Sequence, residues 1–367
     1  MSDAQAYDDQ IQREPPTVDV IIACHSTARP LARAVASVLD GNANAASVTV
    51  VAHNIAVDEL RAVLPHAHAS QVRWLSLNDG THSPANPYNY GTAGSASEWV
   101  SLLGSDDYLQ PGAVADWLSV AADSDAVITR LMHDTGVVVR TPPVRPFHQG
   151  LRDAVSDRLY YRSAPLGLMR REFLEAHDLR WDADLTSGGD LRLSTMLWSS
   201  GRVVTQTMGP GYVIGADAGD RVTMRLAPLD DELSHVDRAW GEHGWARRLT
   251  LGQRDALATK YLRIHIFGAA YYRAAANCWT AEDRLTLSRA TALILRRAPR
   301  ADRALSIADR SLLVAALDTT TPDHVISRLA LARRRFYTLA ALIPRDLSQI
   351  FNREAPLRFM ASSALVR

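Results

Sequence analysis

The sequence predicts an α/β fold in which a mostly parallel central sheet fills the N-terminal part and a mainly helical region follows. Short apolar runs alternate with helical patterns from Val18 to Leu103, as expected when strands and crossover helices succeed one another. From Pro228 onward the period changes to long helical stretches. The chain has 367 residues, 47% of them hydrophobic, enough for a sizeable core and about two domains.

Val18 to Ala23 is an apolar run bounded by polar residues and reads as a buried strand. A helical pattern through Leu31, Val35, Val38 and Leu39 follows, then a second strand at Val48 to Ala52. The alternation continues with Glu59 to Leu64 as helix, Val72 to Leu77 as strand, Tyr90 to Ser97 as helix and Trp99 to Leu103 as strand. Downstream, Arg254 to Ala276, Arg284 to Arg297, Ala304 to Leu317 and Val325 to Leu342 read as helices of a separate region. The expected organisation is a flexible lead-in over 1–16, an α/β domain over 17–224 and a helical domain over 225–367.

Composition narrows the function classes. Formal net charge is zero, but residues 225–367 hold 23 basic and 14 acidic side chains, so the C-terminal part is basic. No tight basic block favours a nucleic-acid partner. Cys24 and Cys278 form no framework of spaced pairs, and the histidines lack zinc-ligand spacing. The polar, acidic opening stretch and the lack of a membrane-length apolar run predict a cytoplasmic protein, with peripheral contact at the inner face of the cell membrane as a variant.

In parallel sheets, ligands bind beyond the carboxyl ends of the strands. The polar residues there are His25 and Ser26, His53 and Asn54, Asn78 and Asp79, and Ser105 to Asp107. In Trp99-Val-Ser-Leu-Leu-Gly-Ser-Asp-Asp-Tyr-Leu-Gln-Pro-Gly112 an apolar strand ends in adjacent carboxylates. Such a pair can hold a hard divalent cation, which in turn binds the phosphates of a nucleotide diphosphate. Taken alone, it is equally the composition of a turn or a helix cap.

The order of motifs resembles the family 2 glycosyltransferases. Asn89-Tyr90-Gly91 precedes Leu103-Gly104-Ser105-Asp106-Asp107 at that family's spacing, Gln110-Pro111-Gly112 resembles its next turn, and Leu179-Arg-Trp-Asp-Ala-Asp-Leu-Thr-Ser-Gly-Gly-Asp-Leu191 resembles the segment ending in its Glu-Asp pair. The resemblance implies a GT-A type nucleotide-binding domain and an inverting, metal-dependent transfer of sugar from a nucleotide diphosphate, a UDP-sugar foremost, to a glycan or lipid-linked acceptor in surface polysaccharide or glycolipid synthesis. It implies Asp107 as the main ligand of Mg²⁺ or Mn²⁺, Asp106 as a donor contact or shared ligand, and Asp190 as the base that deprotonates the acceptor hydroxyl. Ala23, His25, Asn89 and Ser105 are implied donor contacts, and His53 or Asn54 would meet the nucleobase. The family's first aspartate is Gly104 here, its glutamate is Gly189, and Asp217, Asp220 or Arg221 would stand in for a further ligand or phosphate contact.

Other readings of these residues stay open. Asp190 precedes a helical apolar pattern and could cap it. Tyr160 and Tyr161 are candidates to stack on an acceptor sugar. The helical region could complete the acceptor site, mediate a homodimer or lie on the membrane, where Leu329 to Ile343 with Arg333-Arg334-Arg335 would suit an interfacial helix. Rival functions are a degenerate sugar-nucleotide binder, motivated by Gly104 and Gly189, and a nucleotidyltransferase.

Overall fold

The computed structural model describes residues 17–43, 45–216 and 227–366. The predicted lead-in, the 224/225 boundary and the candidates Asp217, Asp220 and Arg221 lie outside the described residues. In chain order the strands are β1 (Val18–Cys24), β2 (Ala46–His53), β3 (Arg73–Leu77), β4 (Trp99–Gly104), β5 (Tyr108–Leu109), β6 (Ala126–Ile128), β7 (Leu131–His133), β8 (Gly167–Arg170), β9 (Val203–Thr205) and β10 (Tyr212–Ile214). The helices of the first part are α1 (Leu31–Leu39), α2 (Val57–Ala62), α3 (His66–Ala69), α4 (Ala85–Ala93), α5 (Ala113–Ala121), α6 (Arg171–Ala176) and α7 (Leu191–Ser200). The second part contains α8 (Leu229–Glu232), α9 (Ser234–Trp240), α10 (Leu251–Lys260), α11 (Phe267–Ala276), α12 (Ala281–Arg297), α13 (Ile307–Leu317), α14 (Asp323–Ala332), α15 (Leu339–Leu342) and α16 (Pro356–Ala364).

The main sheet has the order β3-β2-β1-β4-β8-β6-β9 and is mostly parallel; only the pairings of β8, with β4 and with β6, are antiparallel. The chain leaves β1 toward β2 on one side and returns to β4 on the other, so a crevice opens at the carboxyl ends of β1 and β4. β1 is buried on both faces, which is why it is apolar except for Asp19. Val18, Val20 and Ile22 point into a core shared with α1 and α5. On the other face Ile21 joins a core that runs through α7 into the C-terminal helices, including Trp240, Tyr261, Phe267 and Ile294. The helical region is therefore not a separate body, because its apolar faces finish the core of the sheet.

Three helices depart most from their predicted extents. α4 begins five residues before the expected Tyr90, after Pro84. The stretch predicted as one helix over Arg254 to Ala276 is interrupted by a π-helical turn, Tyr261–Ile266. The helix predicted from Val325 to Leu342 stops at Ala332. There Arg333 turns inward, its Nε 2.7 Å from Asp309 and its guanidinium over the Phe267 ring, and the chain leaves the helical path. An interfacial helix over Leu329 to Ile343 is thus not formed.

α4 lies against β1 at Gly91, where an added Cβ would come 2.5 Å from Ile21 Cγ2 and 3.2 Å from Val51 Cγ2. Both neighbours are buried and β-branched, so neither can rotate away. Gly91→Ala is expected to lower unfolding free energy by about 1–3 kcal/mol, the usual cost of overpacking, as measured by denaturant titration.

Candidate active site

The β4 strand ends in a tight turn in which the Asp107 amide donates to the Gly104 carbonyl at 3.0 Å. This turn presents Asp106 and Asp107 at the crevice. The Asp107 carboxylate accepts a short hydrogen bond from the Tyr212 hydroxyl and one of 2.9 Å from the Gly215 amide. Tyr212 stands on β10 in a small second sheet, where it pairs with Leu109, and its hydroxyl also accepts from the Gly104 amide at 3.0 Å. Burial and the Asp107 charge push the Tyr212 phenol far up, so it stays protonated and donates. Asp106 forms an ion pair with Arg29 at 3.2 Å, and Arg33 donates to the Asp106 carbonyl.

Gly104 has a steric explanation. A Cβ there would lie 2.5 Å from the Asp107 Oδ2 and 3.2 Å from the Asp106 Oδ1, so both carboxylates fold over the bare backbone. Gly189 is similar, because a Cβ would meet the Asp182 carbonyl at 2.8 Å. The Asp182 amide in turn donates to the Gly189 carbonyl at 2.8 Å, closing the loop that delivers Asp190.

Asp190 precedes α7, but its side chain makes no capping hydrogen bond. Asp190 holds the N-cap position through its backbone, whose carbonyl accepts from the Ser194 amide at 2.9 Å, and not through its carboxylate. Desolvation raises its carboxyl above the ordinary range, and the charge of Lys260 opposes that rise. Lys260 is the one lysine of the chain and is almost fully buried. It sits where α10 meets the π-helical turn, which brings its Nζ to 2.8 Å from His265 Nε2. His235 meets His265 edge to face with ring centroids 4.4 Å apart and lies under Gly188, where an added Cβ would come 3.0 Å from its ring. Burial, opposed by Asp190, lowers Lys260 to about 8; burial and Lys260 together drive His235 down to about 3. The C-terminal helices thus place a buried cation near the Asp190 loop, a group that sequence reasoning did not find.

α4 spans the gap between the two carboxylate groups. Tyr88 feels the charges of Asp107 and Asp106, and its ring is 6.0 Å from that of Trp181 in the Asp190 loop. Asn89 was expected to touch the donor. Its amide instead donates to the Trp181 carbonyl and accepts from the Trp181 amide, both at 2.9 Å, so it positions the Asp190 loop.

Along the other strand ends, Ala23 is level with Gly104, Ser105 is buried and His25 is exposed. His53 and Asn54 both brace the neighbouring loop. His53 is buried with Nε2 2.8 Å from Asp79 Oδ1, and Asn54 accepts from the Asp79 and Gly80 amides and donates to the Thr81 carbonyl. Burial disfavours the Asp79 carboxylate, but hydrogen bonds from Thr81, His53 and Asn86 outweigh it and hold its pKa well below the usual range. Tyr160 and Tyr161 are not sugar platforms: Tyr160 is buried against Ser199 at 2.8 Å, and Tyr161 donates to Glu354 at 2.9 Å. Among the described residues no three His, Cys, Asp or Glu side chains converge as a metal site.

No family model matches the chain. It is 26% identical over 265 residues to the succinoglycan biosynthesis protein ExoO of Rhizobium meliloti (strain 1021), covering 67% of this chain and 71% of the relative. It is 29% identical over 201 residues to ExoU of the same organism, covering 51% of this chain and 58% of that protein. Among solved structures it is similar to S. aureus TarS 1–349, with a TM-score of 0.65 at 15% identity over 88% of this chain and 93% of that one. The complex of that protein with UDP-GlcNAc gives 0.66 over the same shares. The α/β fold with a helical C-terminal region is therefore shared with a protein captured with a sugar nucleotide.

Because Lys260 keeps its proton to a lower pH limit when folded than when unfolded, the unfolded chain binds more protons between about 8 and 10.5. Unfolding free energy is expected to gain a positive contribution across that window as pH rises. Lys260→Met lacks the contribution, and urea titrations of both proteins at several pH values measure the difference.

Proposed function

We propose that this chain is a glycosyltransferase of polysaccharide synthesis, of the GT-A type and similar to family 2, which moves a sugar from a nucleotide diphosphate to an acceptor hydroxyl. The observation that supports this most is the pair Asp106 and Asp107 at the topological switch of the sheet, with Asp190 held by α4 on the far side of Tyr88 and Trp181. The relatives named for succinoglycan biosynthesis point to a glycan or lipid-linked acceptor, and UDP-GlcNAc is the first donor to test.

The donor set fits a divalent cation. Mg²⁺ is commonly bound by one or two carboxylates plus substrate phosphates and water, so Asp107 and Asp106 would suffice without a third side chain. Bound there, Mg²⁺ or Mn²⁺ would offset charge on the leaving diphosphate. Asp107 is kept in place for this by Tyr212 and the Gly215 amide. Arg29, beside Asp106, brings a further positive charge to the same end of the crevice.

Asp190 accepts the proton of the acceptor hydroxyl as that oxygen attacks the anomeric carbon. Burial raises its pKa, which makes the ionised carboxylate a better base, and the charge of Lys260 favours the ionised form. Attack opposite to the diphosphate inverts the anomeric configuration. The glycines that motivated a degenerate binder are explained by the close approach of neighbouring groups, which leaves Asp106, Asp107 and Asp190 in place.

Supplied with Mn²⁺ or Mg²⁺, a panel of sugar nucleotides and candidate acceptors, the protein is expected to release one nucleoside diphosphate, and chelation should stop it. Asp107→Ala should abolish release, and Asp190→Asn should slow it by about 10²–10⁴-fold, the usual contribution of a general base. Donor binding without turnover across a broad acceptor panel would favour the non-catalytic reading.

A further inference from the structure

The chain after α14 is short turns and helices with an unusual surface. Phe336, Tyr337, Leu339, Leu347 and Phe351 are between 54% and 83% exposed. Elsewhere among the described residues, Phe147 and Met208 are the only large apolar side chains at least as exposed as Leu347. Such side chains cluster where a surface meets a partner. Between Arg334 and Arg353 the sequence has four arginines and one acidic residue, Asp346. α15 packs beside α16, and Arg358 of α16 donates to the Phe351 carbonyl at 2.6 Å, bringing a further arginine to the apolar residues.

This surface is fixed to the rest of the molecule. Arg158 donates to the Arg353 carbonyl at 2.8 Å, and Tyr161 and Arg263 converge on the Glu354 carboxylate at 2.9 and 3.1 Å. The exposed residues therefore project from a braced base.

We propose that the segment from Arg334 to Arg358 docks the protein on an anionic bilayer, with Phe336, Tyr337, Leu339, Leu347 and Phe351 entering the interfacial layer and arginines against headgroup phosphates. Aromatic and aliphatic side chains interleaved with arginine are the chemistry of a lipid–water interface. A charged glycan would answer the arginines and the aromatics but not the exposed leucines. A second copy across a two-fold axis would set arginine against arginine, since an isologous contact meets its own surface. The partner this chemistry favours is a bilayer rich in acidic phospholipid.

Cosedimentation of the full chain with vesicles tests this, using equimolar phosphatidylcholine and phosphatidylglycerol against phosphatidylcholine alone. Binding to the anionic vesicles only is expected. Each arginine near such a surface adds a factor of about five, so Arg335→Glu with Arg345→Glu should lower binding about tenfold or more. Tyr337→Ser with Phe351→Ser should lower it as well, and both variants should keep the wild-type thermal melt because the altered side chains are exposed. Unchanged binding in both variants, or no binding to either vesicle, would overturn the proposal. Concentration-dependent dimers abolished by Tyr337→Ser with Phe351→Ser, without vesicle binding, would do so too and name the second copy as occupant. Diphosphate release toward a soluble acceptor is read separately, so the docking surface can fail while the transferase reading stands.

Discussion

The seat of α4 against β1 sets the geometry on which the site depends. With Gly91 over Ile21, the helix comes close enough for Asn89 to clamp the backbone of Trp181 from both sides. That clamp fixes the far loop, while Tyr88, one residue earlier, faces Asp106 and Asp107. One short helix thus sets the separation of the two acidic groups. Both hydrogen bonds are shielded in part from water, where a lost partner costs more than the bond itself contributes.

The inner strands were legible because parallel strands buried on both faces read as mainly apolar runs, and β1, β2 and β4 do so despite Asp19, Thr49 and Ser101. Asp106 and Asp107 were legible for the same reason, since polarity begins where the strand stops. α4 was read late because Asn86-Pro87 has the composition of a turn, although proline is tolerated in a first helical turn. The hydrogen bonds of Asn89 to Trp181 left no local signal, because the two residues are 92 apart in sequence. Lys260, His265 and His235 come from different elements of the helical region, and no local spacing announces that they meet under the Asp190 loop.

The second sheet shows how a minor element can govern a charged one. β10 pairs with both β5 and β7, and its Tyr212 links the β4 turn to Asp107 through one hydroxyl. The Asp107 carboxylate is thereby held from the second sheet, while glycine at position 104 leaves room for it and for Asp106. The C-terminal helices contribute in a parallel way. They bury the open face of the sheet and bring a cation to the second acidic group, so core formation and site formation are one event.

The arginine-rich composition gives that cation a further property. Every other basic side chain of the Lys/Arg type in the chain is a guanidinium, so Lys260 is the one side-chain primary amine, and it is 1% exposed. A reagent specific for amines can reach it only when the helical region parts from the loop beneath Asp190. Its rate of modification under native conditions is therefore a built-in clock for that opening, readable by mass at a single residue.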